Sequence, residues 1–377
     1  MMKIVHFLKG RCNPDTANGV EKTIYHLAVN QAAMGHEVHV VGVSPKPAIP
    51  IPGVAVRYFR PEALPGRLPE GLTEHLLGIA PNMVHFHSAY ILENILLARV
   101  LKANSIPYAV TPNGNCSRHL LKRRPYLKIP FKLLLERPYM NGAALVHSVG
   151  DGVEIRHYGV RVPMVEAPNG FDPSSLLEWN GDNLILLARP NWKGRTTFVF
   201  IGRLDVEQKG LDLLLSAVHQ AAKKASIGVA LVGPDWNGGR ARLEARVKEL
   251  GIDDSVFFNG PAYGMDKYGF LASGDYFIHT SRWEGMAFSV VEALACGKPC
   301  LVTAAANPCG LIGQYPAGCL VEGTPEAIAK AMVELANLPE EKRKAMSAAG
   351  TQLVRTELGW RRIAETVTEG YQTHLPR

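Results

Sequence analysis

Short apolar stretches alternate with amphipathic helical patterns along nearly the whole chain, and this rhythm constrains the fold most. In the first repeat, residues 3–8 read as a buried strand, 19–35 as an amphipathic helix and 37–43 as the next strand. Strands that alternate with helices predict a parallel sheet covered by helices on both faces. Because 377 residues exceed the size of one typical domain, we expect two α/β domains of this kind.

The same pattern continues to the end of the chain. Further strands are predicted at 54–58, 83–87, 107–110, 144–148, 198–201, 228–232, 256–258 and 276–279. Further helices are predicted at 70–79, 89–103, 150–158, 211–224, 240–250, 326–335, 340–356 and 360–371. Residues 173–197 read as a linker or a hairpin because they contain the turn signals Asn180-Gly181 and Pro190-Asn191.

Composition indicates an ordinary globular protein, with 47% apolar and 20% charged residues. A net charge of +7 favours anionic partners such as nucleotides, phospholipid surfaces or nucleic acid. Nucleic acid is the weakest of these, since no binding motif for it is present and the positive charge is concentrated in one stretch. The six cysteines form no metal-binding spacing and are expected to be free thiols in a reducing cytoplasm. No signal peptide or membrane-spanning run is expected.

The concentration of charge lies at 118–137, where seven basic residues accompany one acid, Glu136. The basic residues are Arg118, Lys122, Arg123, Arg124, Lys128, Lys132 and Arg137. Leucine and aromatic residues lie between them. This combination suits contact with an anionic membrane at the inner face of the plasma membrane. The alternative is the solvated face of a core helix that Pro125 and Pro130 break.

The stretch 282–299, R-W-E-G-M-A-F-S-V-V-E-A-L-A-C-G-K-P, is chemically the most informative. A loop ends at Glu284-Gly285, and an apolar helix follows whose free N–H groups suit a phosphate. Glu292 lies inside that helix, where an unpaired carboxylate would be costly. At about 1.5 Å per helical residue the two glutamates lie roughly 10 Å apart, about the distance from ribose to sugar in a nucleotide diphosphate sugar. The alternative is an ordinary helix with one exposed and one salt-bridged glutamate.

Three motifs carry a family resemblance. E-G-M-A-F-S-V-V-E resembles the E-x7-E signature of the retaining glycosyltransferases of family four (glycosyl transferases group 1), which have the GT-B fold. G-R-L-D-V-E-Q-K-G at 202–210 resembles the family's G-R-L-x-x-x-K-G, with one extra residue before the lysine, and P-N-G-F-D at 168–172 resembles its interdomain turn P-N-G-V-D. The resemblance implies two Rossmann-like domains facing a central cleft. Residues 1–168 with the C-terminal helix 358–377 would bind the acceptor, and 169–357 the donor.

The resemblance also assigns roles to residues of the donor site. Arg203 and Lys209 bind the diphosphate and Glu284 holds sugar hydroxyls; these three are the predicted catalytic residues. Backbone N–H groups of 286–288 line the sugar and phosphate, Glu292 takes the ribose hydroxyls, and loop 259–263 holds the base. The complete predicted donor site is Gly19, Arg203, Lys209, Tyr263, Glu284, Met286, Ala287, Phe288 and Glu292. For Gly19, a plain helix cap is the equal alternative.

The first half departs from the family pattern at two positions. Asn18-Gly19-Val20-Glu21 lacks the first glycine of the family's G-G-x-E, and Thr111-Pro112-Asn113-Gly114 has Asn113 where many members have a cleft histidine. Asparagine forms hydrogen bonds but does not accept a proton at neutral pH. His87, Asn113 and His119 are the candidates for the acceptor side. His85 and His87 share one strand face, and a packed core histidine is the alternative for either.

Together these observations predict a cytoplasmic hexosyltransferase that retains anomeric configuration and needs neither metal nor cofactor beyond its nucleotide diphosphate sugar. UDP- and GDP-linked donors both fit, and the basic stretch favours a lipid-linked or envelope-glycan acceptor. Two alternatives remain: a GT-B binding protein without turnover, and a sugar-nucleotide epimerase of the same fold. The sequence names neither the sugar, the base, the acceptor nor the oligomeric state.

Overall fold

The computed structural model describes residues 1–13, 19–63, 66–118, 121, 125–172, 176 and 179–375. The chain divides into two compact units, Met1–Gly170 with Trp360–Arg377, and Phe171–Gly359. Each boundary lies two residues beyond the one expected from the sequence. Which unit binds which substrate stays a prediction.

The first unit is built on a seven-stranded, wholly parallel sheet in the order β3-β2-β1-β4-β5-β6-β7. Its strands are β1 Lys3–Lys9, β2 Glu37–Val43, β3 Ala55–Phe59, β4 Met83–His87, β5 Tyr108–Thr111, β6 Leu145–Ser148 and β7 Met164–Glu166. Its helices are α1 Gly19–Ala33, α2 Leu72–Ile79, α3 Leu92–Ala103, α4 Pro125–Phe131, α5 Arg137–Asn141, α6 Gly152–Tyr158 and the C-terminal helix Trp360–Thr373. Central strands are buried on both faces, as expected for a parallel sheet covered by helices.

Residues 125–141 form one helical segment, which corrects the break expected at Pro125 and Pro130. Pro125 begins α4, where its missing N–H needs no intrahelical partner. Pro130 lies inside α4, and a π-helical turn at Lys132–Glu136 carries the backbone on into α5. The helix therefore loses one hydrogen bond at Pro130 without ending. Within the described ranges, no helix has the length and apolar content needed to cross a membrane.

The second unit contains a six-stranded parallel sheet in the order β10-β9-β8-β11-β12-β13. Its strands are β8 Thr196–Ile201, β9 Ile227–Val232, β10 Val256–Asn259, β11 Tyr276–His279, β12 Cys300–Thr303 and β13 Gly318–Val321. Its helices are α7 Leu184–Ala188, α8 Leu211–Ala221, α9 Gly239–Leu250, α10 Gly264–Ser273, α11 Phe288–Ala295, α12 Leu311–Gln314, α13 Pro325–Ala336 and α14 Glu340–Glu357. Two units with parallel sheets and flanking helices confirm the prediction of two Rossmann-like α/β domains.

The prediction of a linker or hairpin at 173–197 is wrong at Leu184–Ala188, which form the helix α7. Asn183 caps α7 there, and its side chain accepts a hydrogen bond from the Leu186 backbone N–H at 2.9 Å. An N-cap asparagine before the apolar run Leu-Ile-Leu-Leu is a helix start signal. Ile185 of this run is fully buried and anchors the short helix to the second unit.

Candidate active site

Glu284 is the centre of the polar cluster at the carboxyl end of β11. Its Oε1 atom lies 2.5 Å from Lys209 Nζ and accepts hydrogen bonds from Ser281 Oγ at 2.7 Å and His279 Nε2 at 3.3 Å. The carboxylate and ammonium groups are both about nine-tenths buried. A buried ion pair with further hydrogen bonds is the arrangement that makes such burial tolerable.

The cluster fixes the protonation of its members. Burial alone would raise the pKa of Glu284, but the Lys209 charge and the His279 hydrogen bond outweigh it and hold that pKa well below its usual range. Burial, together with the Lys209 charge, lowers the pKa of His279, so this imidazole is neutral at pH 7. Its Nε2–H then donates to the Glu284 carboxylate. At neutral pH the site therefore holds an ionised glutamate, a lysine and a neutral histidine.

The loop between β8 and α8 supplies Lys209 from the neighbouring strand of the same sheet. The Thr280 hydroxyl at the end of β11 donates to the Lys209 carbonyl at 3.0 Å and so holds this loop against β11. The extra residue in the G-R-L motif does not prevent Lys209 from reaching Glu284. Sequence reasoning named both residues but not their contact with each other.

Arg203 lies at the start of the same loop and takes a different partner. Its guanidinium carbon lies 4.3 Å from the ring centroid of Trp236, in the loop between β9 and α9. That distance is within the range of a cation–π interaction. The structure does not bring Arg203 into contact with Glu284.

The position of Glu292 relative to Glu284, and its ion-pair partner, differ from the sequence prediction. Helix α11 begins at Phe288, so Glu284 lies in the preceding loop and a helical rise does not span the two glutamates. Glu292 Oε1 lies 2.7 Å from Lys267 Nζ on α10, with 13% and 17% of the two side chains exposed. The alternative prediction, an ordinary helix with one exposed and one salt-bridged glutamate, is also wrong, because both glutamates are paired and mostly buried.

The remaining donor-site candidates lie around the starts of helices. Ala287 occupies the N-cap position of α11 without a side-chain cap, so Met286, Ala287 and Phe288 present backbone at an uncapped helix start. Tyr263 precedes α10 directly, with 62% of its surface exposed. Gly19, in the first unit, begins α1.

The acceptor-side candidates lie in the first unit. Asn113 has a left-handed backbone φ of 55°, and its Nδ2 donates to the Thr111 carbonyl at 3.2 Å. His87 is 1% exposed, with Nε2 3.1 Å from His6 Nδ1, so in this structure it is a packed core histidine. His119 and Asn18 lie outside the described residues.

His87 belongs to a network of four buried histidines on one sheet face. Nitrogen atoms of His6, His85 and His87 lie within 4.8 Å of one another. The further hydrogen bonds of the network are His6 Nε2 to Gln31 Oε1, His85 Nδ1 to the Tyr371 hydroxyl, His85 Nε2 to Thr111 Oγ1, Thr111 Oγ1 to His147 Nδ1, and His147 Nε2 to the Ala167 carbonyl. Because the Ala167 carbonyl only accepts, His147 donates to it from Nε2 and accepts at Nδ1 from Thr111. His6 and His87 thus hydrogen-bond directly to each other, and His85 and His147 share the Thr111 hydroxyl. Burial lowers the pKa of all four rings, so they are neutral at pH 7.

Comparisons with known proteins agree with the fold of two α/β units. The family described as Glycosyltransferase Family 4 matches residues 17–175, and the family described as Glycosyl transferases group 1 matches residues 187–353. Anabaena HepE in complex with UDP superposes with a TM-score of 0.75 at 18% identity, covering 99% of this chain and 100% of that chain. At that identity the likeness shows the fold alone.

Two curated relatives match this chain over very different shares of their length. Mannosylfructose-phosphate synthase of Agrobacterium fabrum is 28% identical over 160 residues, which cover 40% of this chain and 35% of the relative. A GDP-mannose-dependent alpha-mannosyltransferase of Mycolicibacterium smegmatis is 24% identical over 395 residues, which cover 96% and 95%. The chain spans between about a third and a half of the first curated relatives it matches.

The two parallel-sheet units and the structural neighbours define a glycosyltransferase scaffold of the GT-B fold. Within that class, the two family matches side by side assign the chain plainly: it belongs to glycosyltransferase family four.

Several partners in the site were missed by sequence reasoning. His279 and Ser281 were detectable, because both lie at the carboxyl end of a predicted strand, where α/β folds bind ligands. Trp236 also lies beyond the carboxyl end of a predicted strand, at 228–232, but nothing local indicated its contact with Arg203. Lys267 gave no signal, because it lies on a helix that the pattern did not predict.

Proposed function

We propose that this chain is a retaining glycosyltransferase that moves a sugar from a UDP- or GDP-linked donor to an acceptor hydroxyl, in the synthesis of cell-envelope glycan, polysaccharide or glycolipid. The observation that carries the proposal is the buried Lys209–Glu284 pair at the carboxyl end of the second sheet. Nucleotide-binding α/β domains hold their ligands at this edge. The names of the relatives support the donor class, since they include a GDP-mannose-dependent enzyme and a UDP complex.

Each charged group has a role in this proposal. The three described hydrogen bonds to Glu284 all reach its Oε1 atom, and among the described residues no side chain bonds to Oε2. In this proposal Oε2 accepts hydrogen bonds from the sugar hydroxyls. Lys209, on the other oxygen, turns its remaining N–H groups to the diphosphate. Arg203 adds a planar donor fork for the same diphosphate. Two cations at the leaving group stabilise the charge that develops there, so we propose that no metal ion is needed.

We propose front-face transfer as the chemical step. The bond between the anomeric carbon and the β-phosphate oxygen breaks while the acceptor oxygen forms its bond on the same face. The acceptor proton moves to the leaving phosphate oxygen, and the nucleoside diphosphate leaves with it. This route suits Asn113, which does not act as a base. Catalysis then rests on orientation and on stabilising the diphosphate.

Nucleotide binding by the full chain tests the donor site. We expect UDP or GDP to stabilise the protein in the presence of EDTA, by about 2.7 kcal/mol at one hundred times its dissociation constant. Arg203→Ala is the informative variant, because Arg203 is exposed and its loss leaves no buried charge unpaired. Lys209→Ala leaves Glu284 buried without its partner, which costs about 3–5 kcal/mol of stability by itself.

The expected result is that Arg203→Ala removes most of the nucleotide-induced shift. Lys330→Ala serves as the matched control, because it also removes one positive charge from the second unit but at an exposed pair with Glu334. In a transfer or donor-hydrolysis assay, Arg203→Ala should lower the rate about 10²-fold or more. Nucleotide binding without transfer or hydrolysis would favour the binding protein without turnover. Release of an epimerised sugar without acceptor would favour the epimerase. No shift with UDP or GDP would overturn the proposed donor site.

We further propose a lipid-linked or envelope-glycan acceptor and a cytoplasmic protein in peripheral contact with an anionic membrane. The support is the 126–134 surface, defined by the side chains of Tyr126, Leu127, Ile129, Leu133 and Leu134, which are 45% to 73% exposed. Lys128 and Lys132 lie between them on the same segment. Clustered exposed apolar side chains beside basic ones suit insertion among anionic headgroups. Part of the predicted stretch 118–137 lies outside the described residues.

A further inference from the structure

The loops that carry Arg203 and Trp236 are joined along their length. The Gly202 N–H donates to the Val232 carbonyl at 3.0 Å and the Leu204 N–H to the Pro234 carbonyl at 2.9 Å. Leu204 and Asp235 form an isolated parallel bridge. These bonds extend the pairing of β8 with β9 beyond the strand ends. Arg203 and Trp236 flank this bridge, one on each loop.

The backbone around Trp236 is held in a tight turn. The Asp235 carboxylate accepts from the Gly238 N–H at 3.0 Å and from the Arg240 N–H at 2.7 Å. The Gly239 N–H donates to the Trp236 carbonyl at 3.0 Å, which closes the turn. The indole is therefore presented from a fixed backbone, although 38% of its surface remains exposed.

The Trp236 ring contacts the Arg203 guanidinium but carries no charge that would neutralise it. Among the described residues, no carboxylate forms an ion pair with Arg203, whose partner is the Trp236 ring at 4.3 Å. Lys209 differs, because Glu284 offsets its charge. An aromatic face restrains a guanidinium while leaving its charge and in-plane N–H donors available to an anion. Of the two predicted diphosphate cations, Arg203 is thus the one whose charge stays uncompensated.

We propose that Trp236 is a positioning residue of the donor site: its ring holds the Arg203 guanidinium in the orientation from which it binds the diphosphate. This inference rests on the proposed function. Restraining the arginine before the nucleotide arrives lowers the entropy lost on binding. Removal of the ring then weakens binding of any nucleoside diphosphate, whatever its base, because the contact concerns the diphosphate.

Titration calorimetry of the full chain with UDP and with GDP tests the inference. Trp236→Leu should lower the affinity for whichever nucleotide binds, UDP or GDP, about 3- to 30-fold. Trp236→Phe keeps an aromatic face and should recover most of that loss. In the Arg203→Ala background, Trp236→Leu should change the affinity no further. Arg57→Ala, which removes a cation–π pair over Phe59 in the first unit, is the control and should leave the affinity unchanged.

The outcomes separate this inference from the proposed function. An equal loss from Trp236→Leu in both backgrounds would show a general effect on the loop and overturn the positioning role. Unchanged affinity in Trp236→Leu, with weakened binding in Arg203→Ala, would overturn the inference alone. Failure of the unsubstituted protein to bind UDP or GDP would overturn the proposed function, and this inference with it.

Discussion

Lys267 and Glu292 form an ion pair that joins the first turn of α10 to the middle of α11, with Nζ 2.7 Å from Oε1. Both side chains are more than four-fifths buried, and Lys267 Nζ also lies 4.9 Å from the ring centroid of Tyr268. Glu292 is the predicted ribose ligand, so a bound ribose would share its carboxylate with Lys267. The pair thus links the stability of the second unit to its predicted donor site.

Loss of only one member of this pair should destabilise the protein. Lys267→Met leaves the Glu292 carboxylate mostly buried without its cation, and we expect the unfolding free energy to fall by about 2–4 kcal/mol. Denaturant unfolding measures this change. The double variant Lys267→Met/Glu292→Gln removes both charges and should regain at least half of the loss. If the double variant were as unstable as the single one, the loss would come from packing and not from the unpaired charge.

The first unit should lose stability in mild acid. Burial lowers the pKa of His6 and of His147 to about 4 and holds the pKa values of His85 and His87 well below the usual range. Unfolded histidines titrate near pH 6.5, so the unfolded chain binds more protons below that pH. The stabilisation is therefore present above about pH 6.5 and is lost as the pH falls towards 4. His6 and His147 each contribute a loss of about 1 kcal/mol between pH 7.5 and 5.5, and His85 and His87 act in the same direction.

Glu136 offsets part of this loss, because burial raises its pKa to about 7 and its protonation favours the folded state by about 2 kcal/mol over the same interval. Because four histidines oppose one glutamate, we expect a net loss of stability between pH 7.5 and 5.5. Hydrogen exchange can measure it separately for β1, β4 and β6 and for β8 and β9 of the second unit. Equal protection of β1, β4 and β6 at the two pH values would contradict the neutral-histidine network.

The sequence was sufficient for most of the fold because parallel strands buried on both faces are short apolar runs. Strands β2, β4 and β11 lie where the pattern predicts them, at 37–43, 83–87 and 276–279. Strand β12 was missed because it directly follows the helix stop signals Gly297 and Pro299. Strand β13 was missed because it begins with a glycine and is only partly buried, which weakens the apolar pattern. Helix α10 was missed because Gly264, Asp266 and Gly269 lower its helix propensity, which tertiary packing overrides.

The candidate site was predicted where its residues belong to family motifs. Lys209 and Glu284 were both named from the G-R-L…K-G and E-x7-E resemblances, and each also lies beyond the carboxyl end of a predicted strand. Their contact depends on β8 and β11 being neighbours in the sheet, which the local pattern does not specify. Lys267 and His6 were missed for the same reason, because their partners come from other segments and pairing across a fold has no local signature.

Gly239 should be intolerant of a side chain. A Cβ atom at this position would lie 1.9 Å from the Leu204 carbonyl oxygen, so Gly239→Ala must move the two joined loops apart. We expect a loss of about 1–3 kcal/mol in unfolding free energy and weaker UDP or GDP binding, because Arg203 and Trp236 lie on these loops. Gly78→Ala is the matched control, since a Cβ there meets no atom within 4 Å and lies in α2. Unimpaired nucleotide binding by a folded Gly239→Ala variant would show that the loop contact does not shape the donor site.

The 126–134 surface should bind anionic membranes through its apolar side chains. We expect the protein to co-sediment with phosphatidylglycerol-containing vesicles more strongly than with phosphatidylcholine vesicles, and less so in high salt, since the basic residues attract the headgroups. Leu127→Ser/Leu134→Ser should lower vesicle binding at least about tenfold, because it removes two exposed leucines from the inserting face. Leu187→Ser is the control, as Leu187 is 63% exposed on α7 of the second unit, and it should leave binding unchanged. If the double variant bound vesicles as well as the unsubstituted protein, the segment would be a solvated helix face and the acceptor proposal would lose its structural support.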